Sequence, residues 1–211
     1  MNAERRQKSL KALESLNCDV PHDLEYHFTQ EETTIRPVED IIHRASALYC
    51  LATYADSLLQ GNCPRDEARS FAQKFISRYN ADQYFTEKEK EFMENPAPTQ
   101  EQVGQFCWQW ESLYSMLYCL GFIDSLGLPT EACKVPLCSR AFARNRTTDA
   151  LVKVVKIRPI EEILDFCDLI FCCFNARNKS SFENGVLCGW KKTADWITIV
   201  KGKEYDWDSL Q

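Results

Sequence analysis

Two acids fall where helical periodicity buries side chains. Glu111 lies among Cys107, Tyr114 and Tyr118, and Asp168 borders Leu164 and Phe171. An ionised carboxylate away from water needs a partner, or its pKa rises. Two such acids meeting at one cleft could do general acid–base work. Arg44 is the expected cationic partner for either. Arg36, Trp108, Arg158 and Glu161 complete a set that forms either a buried polar network or a cleft. No catalytic residue is assigned. The chain holds no G-x-G-x-x-G, P-loop, G-x-S-x-G or H-E-x-x-H, and its histidines (His22, His27, His43) all precede residue 44. Nothing supplies the nucleophile or phosphate cradle that would define a reaction.

Cys18-x3-His22-x4-His27 has the residue types for a metal site. Pro21 interrupts it, the spacing matches no standard site and a fourth ligand is unassigned, so a polar loop is the expected reading. No metal and no cofactor are expected. The eleven cysteines are odd in number and lack any C-x-x-C pair. They are expected mostly as reduced, buried packing groups.

These residues must be positioned by helices. The 211 residues suffice for one compact domain, and 45% hydrophobic and 12% aromatic content supports a sizeable core. Seven glycines are too few for a turn-rich all-β chain. A net charge of −6 and a pI near 5.2 argue against nucleic acid. Arg140, Arg144 and Arg146 are the one notable basic cluster, expected as a solvated face. No apolar run reaches membrane-span length. The N-terminus shows no signal core, so the cytoplasm is expected.

One phrase occurs twice: Ile35-Arg36-Pro37-Val38-Glu39-Asp40-Ile41 and Ile157-Arg158-Pro159-Ile160-Glu161-Glu162-Ile163. Proline suits the first position of a helix, and acids suit its electropositive start. Each arginine is expected to reach the glutamate three residues on. The apolar phase then agrees: Val38, Ile41, Ile42, Ala45, Leu48 and Tyr49 match Ile160, Ile163, Leu164, Cys167, Ile170 and Phe171. The reading is two similar helix starts, with duplication or a two-fold-like helix pair as the alternative.

Further helix starts lie at Pro64, at the capping box Thr86-x-x-Glu89 and at Thr99. Gly61-Asn62 ends the first repeat helix. The helix after Thr99 is expected to run unbroken to Leu120, with Gln102, Gln105, Gln109 and Ser112 as its wet stripe and Phe106, Trp110, Leu113, Leu117 and Leu120 as its core face. One or two helices fill 136–156, and a last one spans about 186–199. Trp196 to Val200 is β-branched enough for a short strand. The result is an all-α domain of about eight helices, divided as an N-terminal helix and connector (1–34) and a helical domain (35–211).

Ile35 through Ala45, Phe85 through Phe92, Asn95 through Thr99, Trp108 through Tyr114, Leu120-Gly121, Arg158 through Leu169 and Asp206-Trp207-Asp208 occur in order. Together they resemble a bacterial family, domain of unknown function 4272, over about residues 35–208. The resemblance implies one cytoplasmic domain and no reaction. The family pattern reads W-R-x-E, D-x-x-Y-R and E-R; here Trp108, Glu111 and Asp168 stand beside Gln109, Phe171, Cys172, Gly189 and Trp190. Either a charged site is lost or an ion network is repacked with apolar groups. The expected function is a non-enzymatic helical interaction or accessory protein, with a protein partner or second copy, and neither membrane nor nucleic acid. The alternative is a small-ligand binder or enzyme using a Glu111/Asp168/arginine cleft. Whether a pocket joins the long helix to the two repeat helices, and what lines it, decides between ion network and ligand site.

Overall fold

The computed structural model describes residues 2–59, 61 and 63–210. The expected stop at Asn62 lies outside them. The described residues form an all-α domain with one short antiparallel ribbon. The helices are α1 (Asn2–Leu13), α2 (Val38–Leu59), α3 (Arg65–Tyr79), α4 (Glu87–Glu94), α5 (Gln100–Cys107), α6 (Gln109–Cys119), α7 (Val135–Arg144), α8 (Thr148–Val154), α9 (Ile160–Asn175) and α10 (Asn184–Ile197). The ribbon pairs β1 (Thr33–Ile35) with β2 (Thr198–Val200), Thr34 opposite Ile199. The short C-terminal strand read from β-branching is therefore present. No described helix is long and apolar enough to cross a membrane.

Pro37, Pro64 and Pro159 each precede a helix and offer a carbonyl to its first turn. Thr86–Glu89 and Thr99–Gln102 both form complete capping boxes. The helix expected to run from 99 to 120 is instead two. The chain tightens at Trp108, whose N–H reaches the carbonyls of Gly104 and Phe106, while Glu111 N–H turns back to Trp108. The 3.6-residue periodicity survives the tightening, so periodicity alone could not reveal it.

The doubled phrase builds the same clamp twice. The Arg36 N–H donates to the Ile197 carbonyl at 2.9 Å, and its Nε donates to the Trp196 carbonyl. The Arg158 N–H donates to the Cys119 carbonyl at 2.9 Å, and its Nε donates to the Tyr118 carbonyl. Each guanidinium also covers the ring beside it, Trp196 at 4.6 Å and Tyr118 at 4.0 Å. The orphan carbonyls ending α10 and α6 thus receive cationic donors from the residues that launch α2 and α9. The expected local pairs do not form. Arg36 binds Glu204 rather than Glu39, and Arg158 binds Glu162 rather than Glu161. Geometry decides this: a guanidinium turned onto a neighbouring helix end points away from the acid three residues on.

Helix packing uses the complementary pairing to the clamps. α2 packs on α6 and α9 on α10; α5 packs on α2 and α1 on α9; α6 and α10 cross at the centre. Exchanging α2 with α9, α6 with α10 and α5 with α1 leaves these contacts unchanged, while α3 packs on α2 with no comparable helix on α9. At the central crossing, a Cβ on Gly189 would lie 2.7 Å from the Glu111 Cβ and 3.1 Å from the Ser112 N, so only glycine permits the approach. Ser112 Oγ donates to the Gly189 carbonyl and Thr193 Oγ1 to the Ser112 carbonyl.

α1 is part of this packing. Arg5, Arg6, Ser9 and Leu13 are buried, and Arg5 and Lys8 both pair with Asp165 of α9. The cysteines are free thiols; Cys50, Cys119, Cys138, Cys167, Cys172 and Cys173 are buried. Burial pushes the Cys119 and Cys172 thiols up to about 12, which leaves them protonated and unreactive at neutral pH. Arg140, Arg144 and Arg146 are all exposed, as a solvated face requires.

Candidate functional site

Glu111 and Asp168 are both buried, and they do not share a partner. Glu111 accepts from the Cys133 N–H at 2.7 Å and from Trp190 Nε1 at 3.3 Å. No ion pair is recorded for it among the described residues. Burial pushes its carboxyl up, and the two N–H donors only partly oppose this. Asp168 takes Arg6 Nη2 at 2.8 Å, both of its oxygens lie 3.2 Å from Arg6 Nε, and Ser9 Oγ donates at 2.7 Å. Arg44 pairs with neither acid. Its Nη2 grips both oxygens of Glu89 at 2.8 and 2.7 Å, and Nη1 donates to the Tyr84 carbonyl. Glu89 simultaneously accepts the Thr86 N–H as the capping-box acid. Arg36 and Arg158 are the helix clamps, and Glu161 accepts from Gln30 at the surface.

The Cys18–His22–His27 idea also separates. His27 stacks on Phe171 with centroids 5.2 Å apart, His22 is exposed, and the Cys18 thiol reaches the Leu16 carbonyl. No group of three His, Cys, Asp or Glu is placed to hold a metal among the described residues.

Of the expected residues, only Trp108 lines a cavity of about 940 Å³ among the described residues. That cavity does not join the long helix to α2 and α9. It opens between α4, the α5–α6 pair, the start of α10 and the C-terminal segment. The tightening at Trp108 turns this indole outward, leaving it 42% exposed. Gly185 makes the position possible: a Cβ there would stand 2.5 Å from the Trp108 ring. Gln102, Gln105, Gln109 and Ser112, the stripe read as water-facing, form the wall beside it. Phe92 and Phe106 stack at 3.9 Å across the α4–α5 seam and add an apolar floor.

The remaining wall carries charge. Trp207 is 2% exposed, and its Nε1 has no hydrogen-bond partner. Arg44 lies 5.2 Å from its ring and Lys192 Nζ 4.7 Å from it. Arg44 is matched by Glu89. Lys88 is tied to Asp208, its N–H to Oδ2 and its Nζ to the carbonyl. Lys192 makes no recorded ion pair within the described residues. Burial lowers its ammonium below the ordinary lysine range, with Glu89 and Asp208 opposing.

Sequence reasoning passed over Arg6, Glu89, Lys192 and Trp207. The available signal was an uncharged stripe: four consecutive wet positions on one helix holding amides and a hydroxyl but no charge. A freely solvated stripe ordinarily carries charges.

The described residues thus form a helical domain with a cavity of mixed polarity. The family model described as domain of unknown function (DUF4272) matches residues 5–210. The chain belongs to that family. The match includes Arg6 and Ser9, upstream of the stretch that carried the resemblance. No curated protein and no solved structure matches the chain.

Proposed function

We propose that this chain is a non-enzymatic binding protein that holds a small molecule in the cavity between α4, α5, α6, α10 and the C-terminal segment, acting as an accessory or carrier. The observation that carries this reading is the cavity itself. At about 940 Å³ it lies within the size range of small-molecule sites. Its apolar floor and scattered amides resemble a binding surface more than a reactive one. Glu111 and Asp168 stand outside its lining, as do all three histidines. Ser112 spends its hydroxyl on a backbone carbonyl and burial raises the Cys188 thiol, so neither of these lining groups is an activated nucleophile. Eleven free thiols fit a reducing compartment, and we place the protein in the cytoplasm.

The test uses N-phenyl-1-naphthylamine, a neutral fluorescent probe. One saturable site per chain is expected, with energy transfer from tryptophan. Gln109→Phe, which fills the cavity from a half-buried position, weakens binding at least tenfold. An absence of saturable binding, or binding indifferent to Gln109→Phe, removes the proposal.

A further inference from the structure

We infer that Lys192 is a reactive amine on the wall of this cavity, where it holds an uncharged apolar aldehyde as a reversible imine. The inference rests on reading the cavity as a ligand site, and it names the class of molecule taken there.

Placement singles out this lysine. The chain has thirteen lysines, and eleven of them are exposed. The two half-buried ones are neighbours on α10. Lys191 is bound to Asp195 one turn on. Lys192 lines the cavity, and no ion pair is recorded for it among the described residues. It is thus the one lysine drawn out of water without an acid to replace the lost hydration.

The surrounding charges do not make up the loss. Glu89 and Asp208 attract the ammonium, Arg44 and Lys88 repel it, and burial outweighs the attraction. The Trp207 ring lies 4.7 Å from Nζ; its face attracts a cation but also keeps water from that side. The balance leaves Lys192 a larger share of free amine than an exposed lysine has. A desolvated amine beside other cations is a nucleophile toward carbonyl carbon.

The lining then decides what the amine meets. Glu89, Glu91, Glu183 and Asp208 stand there against Lys88 and Lys192 alone, so an anion is not favoured. An uncharged carbonyl compound needs no counter-charge. Phe92, Phe106 and the exposed Trp108 offer a surface to its apolar part. An aldehyde presents its carbon with the least crowding to an amine that is itself half-buried.

The step balances without a co-reactant. The Nζ lone pair bonds to the carbonyl carbon as the C=O π pair moves to oxygen. One amine hydrogen passes to that oxygen and gives a carbinolamine. The hydroxyl leaves with the second amine hydrogen as water, and C=N remains. Water reverses each step, so the hold is releasable, as a carrier requires. The protonated imine keeps the single charge of the ammonium, which the acidic lining suits.

The experiment treats the full chain with 2-naphthaldehyde and sodium cyanoborohydride, which reduces the imine to a stable amine, and maps the adducts by mass spectrometry. Labelling at Lys192 is expected to exceed that at any other lysine by about tenfold, the cavity's hold on the ring adding to the larger free-amine share. The preference should vanish in urea. Saturating N-phenyl-1-naphthylamine should slow labelling at Lys192 alone. Lys192→Met and Lys192→Arg should each remove the dominant adduct while that neutral probe still binds, which shows that fold and cavity persist. Label spread evenly over the exposed lysines, a preference that survives urea, or labelling of Lys192 indifferent to the neutral probe would overturn the inference. If N-phenyl-1-naphthylamine binds and Lys192 is not labelled, only the imine falls and the cavity reading stands. If it does not bind and Lys192 is not labelled, both fall.

Discussion

Arg36 and Arg158 occupy equivalent places: each donates its N–H to the last residue of another helix and its Nε to the residue before. Replacing either by alanine strips donors from carbonyls at a packed helix end. A loss of about 1–3 kcal/mol is expected for each, from the cost of unsatisfied polar groups. Lysine should not rescue, since one ammonium cannot reproduce the fork. Urea denaturation of the four single variants checks this; full rescue by lysine would refute the clamp.

Arg6 and Asp168 form a buried pair at 2.8 Å. Arg6→Ala leaves a buried carboxylate with Ser9 and the Cys172 thiol as its remaining side-chain donors, and should cost roughly 3–5 kcal/mol. Replacing both by apolar groups of similar volume should recover much of that. A double variant no better than Arg6→Ala would show that the pair is not the source of the loss.

The two tight glycines should behave differently. Gly189→Ala drives a methyl into the Glu111 Cβ and the Ser112 backbone, with about 1–3 kcal/mol of overpacking expected. For Gly185→Ala the nearest atoms all belong to the Trp108 ring, which is 42% exposed and is the group expected to yield. Its stability cost should stay near 0.5–1 kcal/mol, with a red shift of tryptophan emission and weaker probe binding. Matching stability losses in both variants would contradict this assignment.

Burial lowers the His27 imidazole below its ordinary 6.5. The unfolded chain therefore binds more protons than the folded one between the lowered value and 6.5. Stability should rise with pH through that window and be lost as pH falls through it. His27→Phe, which keeps the stack on Phe171, should flatten this part of the profile. Thermal melts from pH 7 to pH 5 decide it; an unchanged slope would exclude His27 as the cause.

Glu111 acts in the opposite sense. Its carboxyl is raised above 4.5, so the folded state holds the proton more tightly and this group's contribution falls as pH rises through that raised value. Glu111→Gln removes the titration but can accept only one of the two N–H donors. The orphaned Trp190 or Cys133 N–H should cost about 1–3 kcal/mol near neutrality. A more stable variant would mean that desolvation of the carboxylate outweighs both hydrogen bonds.

Local chemistry was legible and long-range pairing was not. Prolines at 37, 64 and 159, the Thr86 and Thr99 boxes and the β-branched run near 198 each encode their own element. The apolar phase shared after the two Ile-Arg-Pro phrases foretold equivalent helices. The burial of Glu111 and Asp168 could also be read, because it follows from their neighbours on one helix. Their partners could not. Arg6 looks like any solvated residue of a charged helix, and Glu89 reads fully as a capping acid without its second role toward Arg44. The cavity escaped for a related reason. Its wall combines amides on α5 and α6 with Trp207 and Lys192, nearly a hundred positions away in a separate part of the chain, and no local period connects them.

The ribbon between β1 and β2 bears on how the chain is made. Arg5 and Arg6 have near partners in Phe28 and Leu24, but their acids, the acid of Ser9 and the strand that pairs with β1 lie at residues 165–200. Contacts of that sequence separation form slowly, so α2 to α8 can collapse around their own nearer contacts first. Docking of the opening segment onto α9 is then a late step of folding, set by contact order rather than by local helix strength.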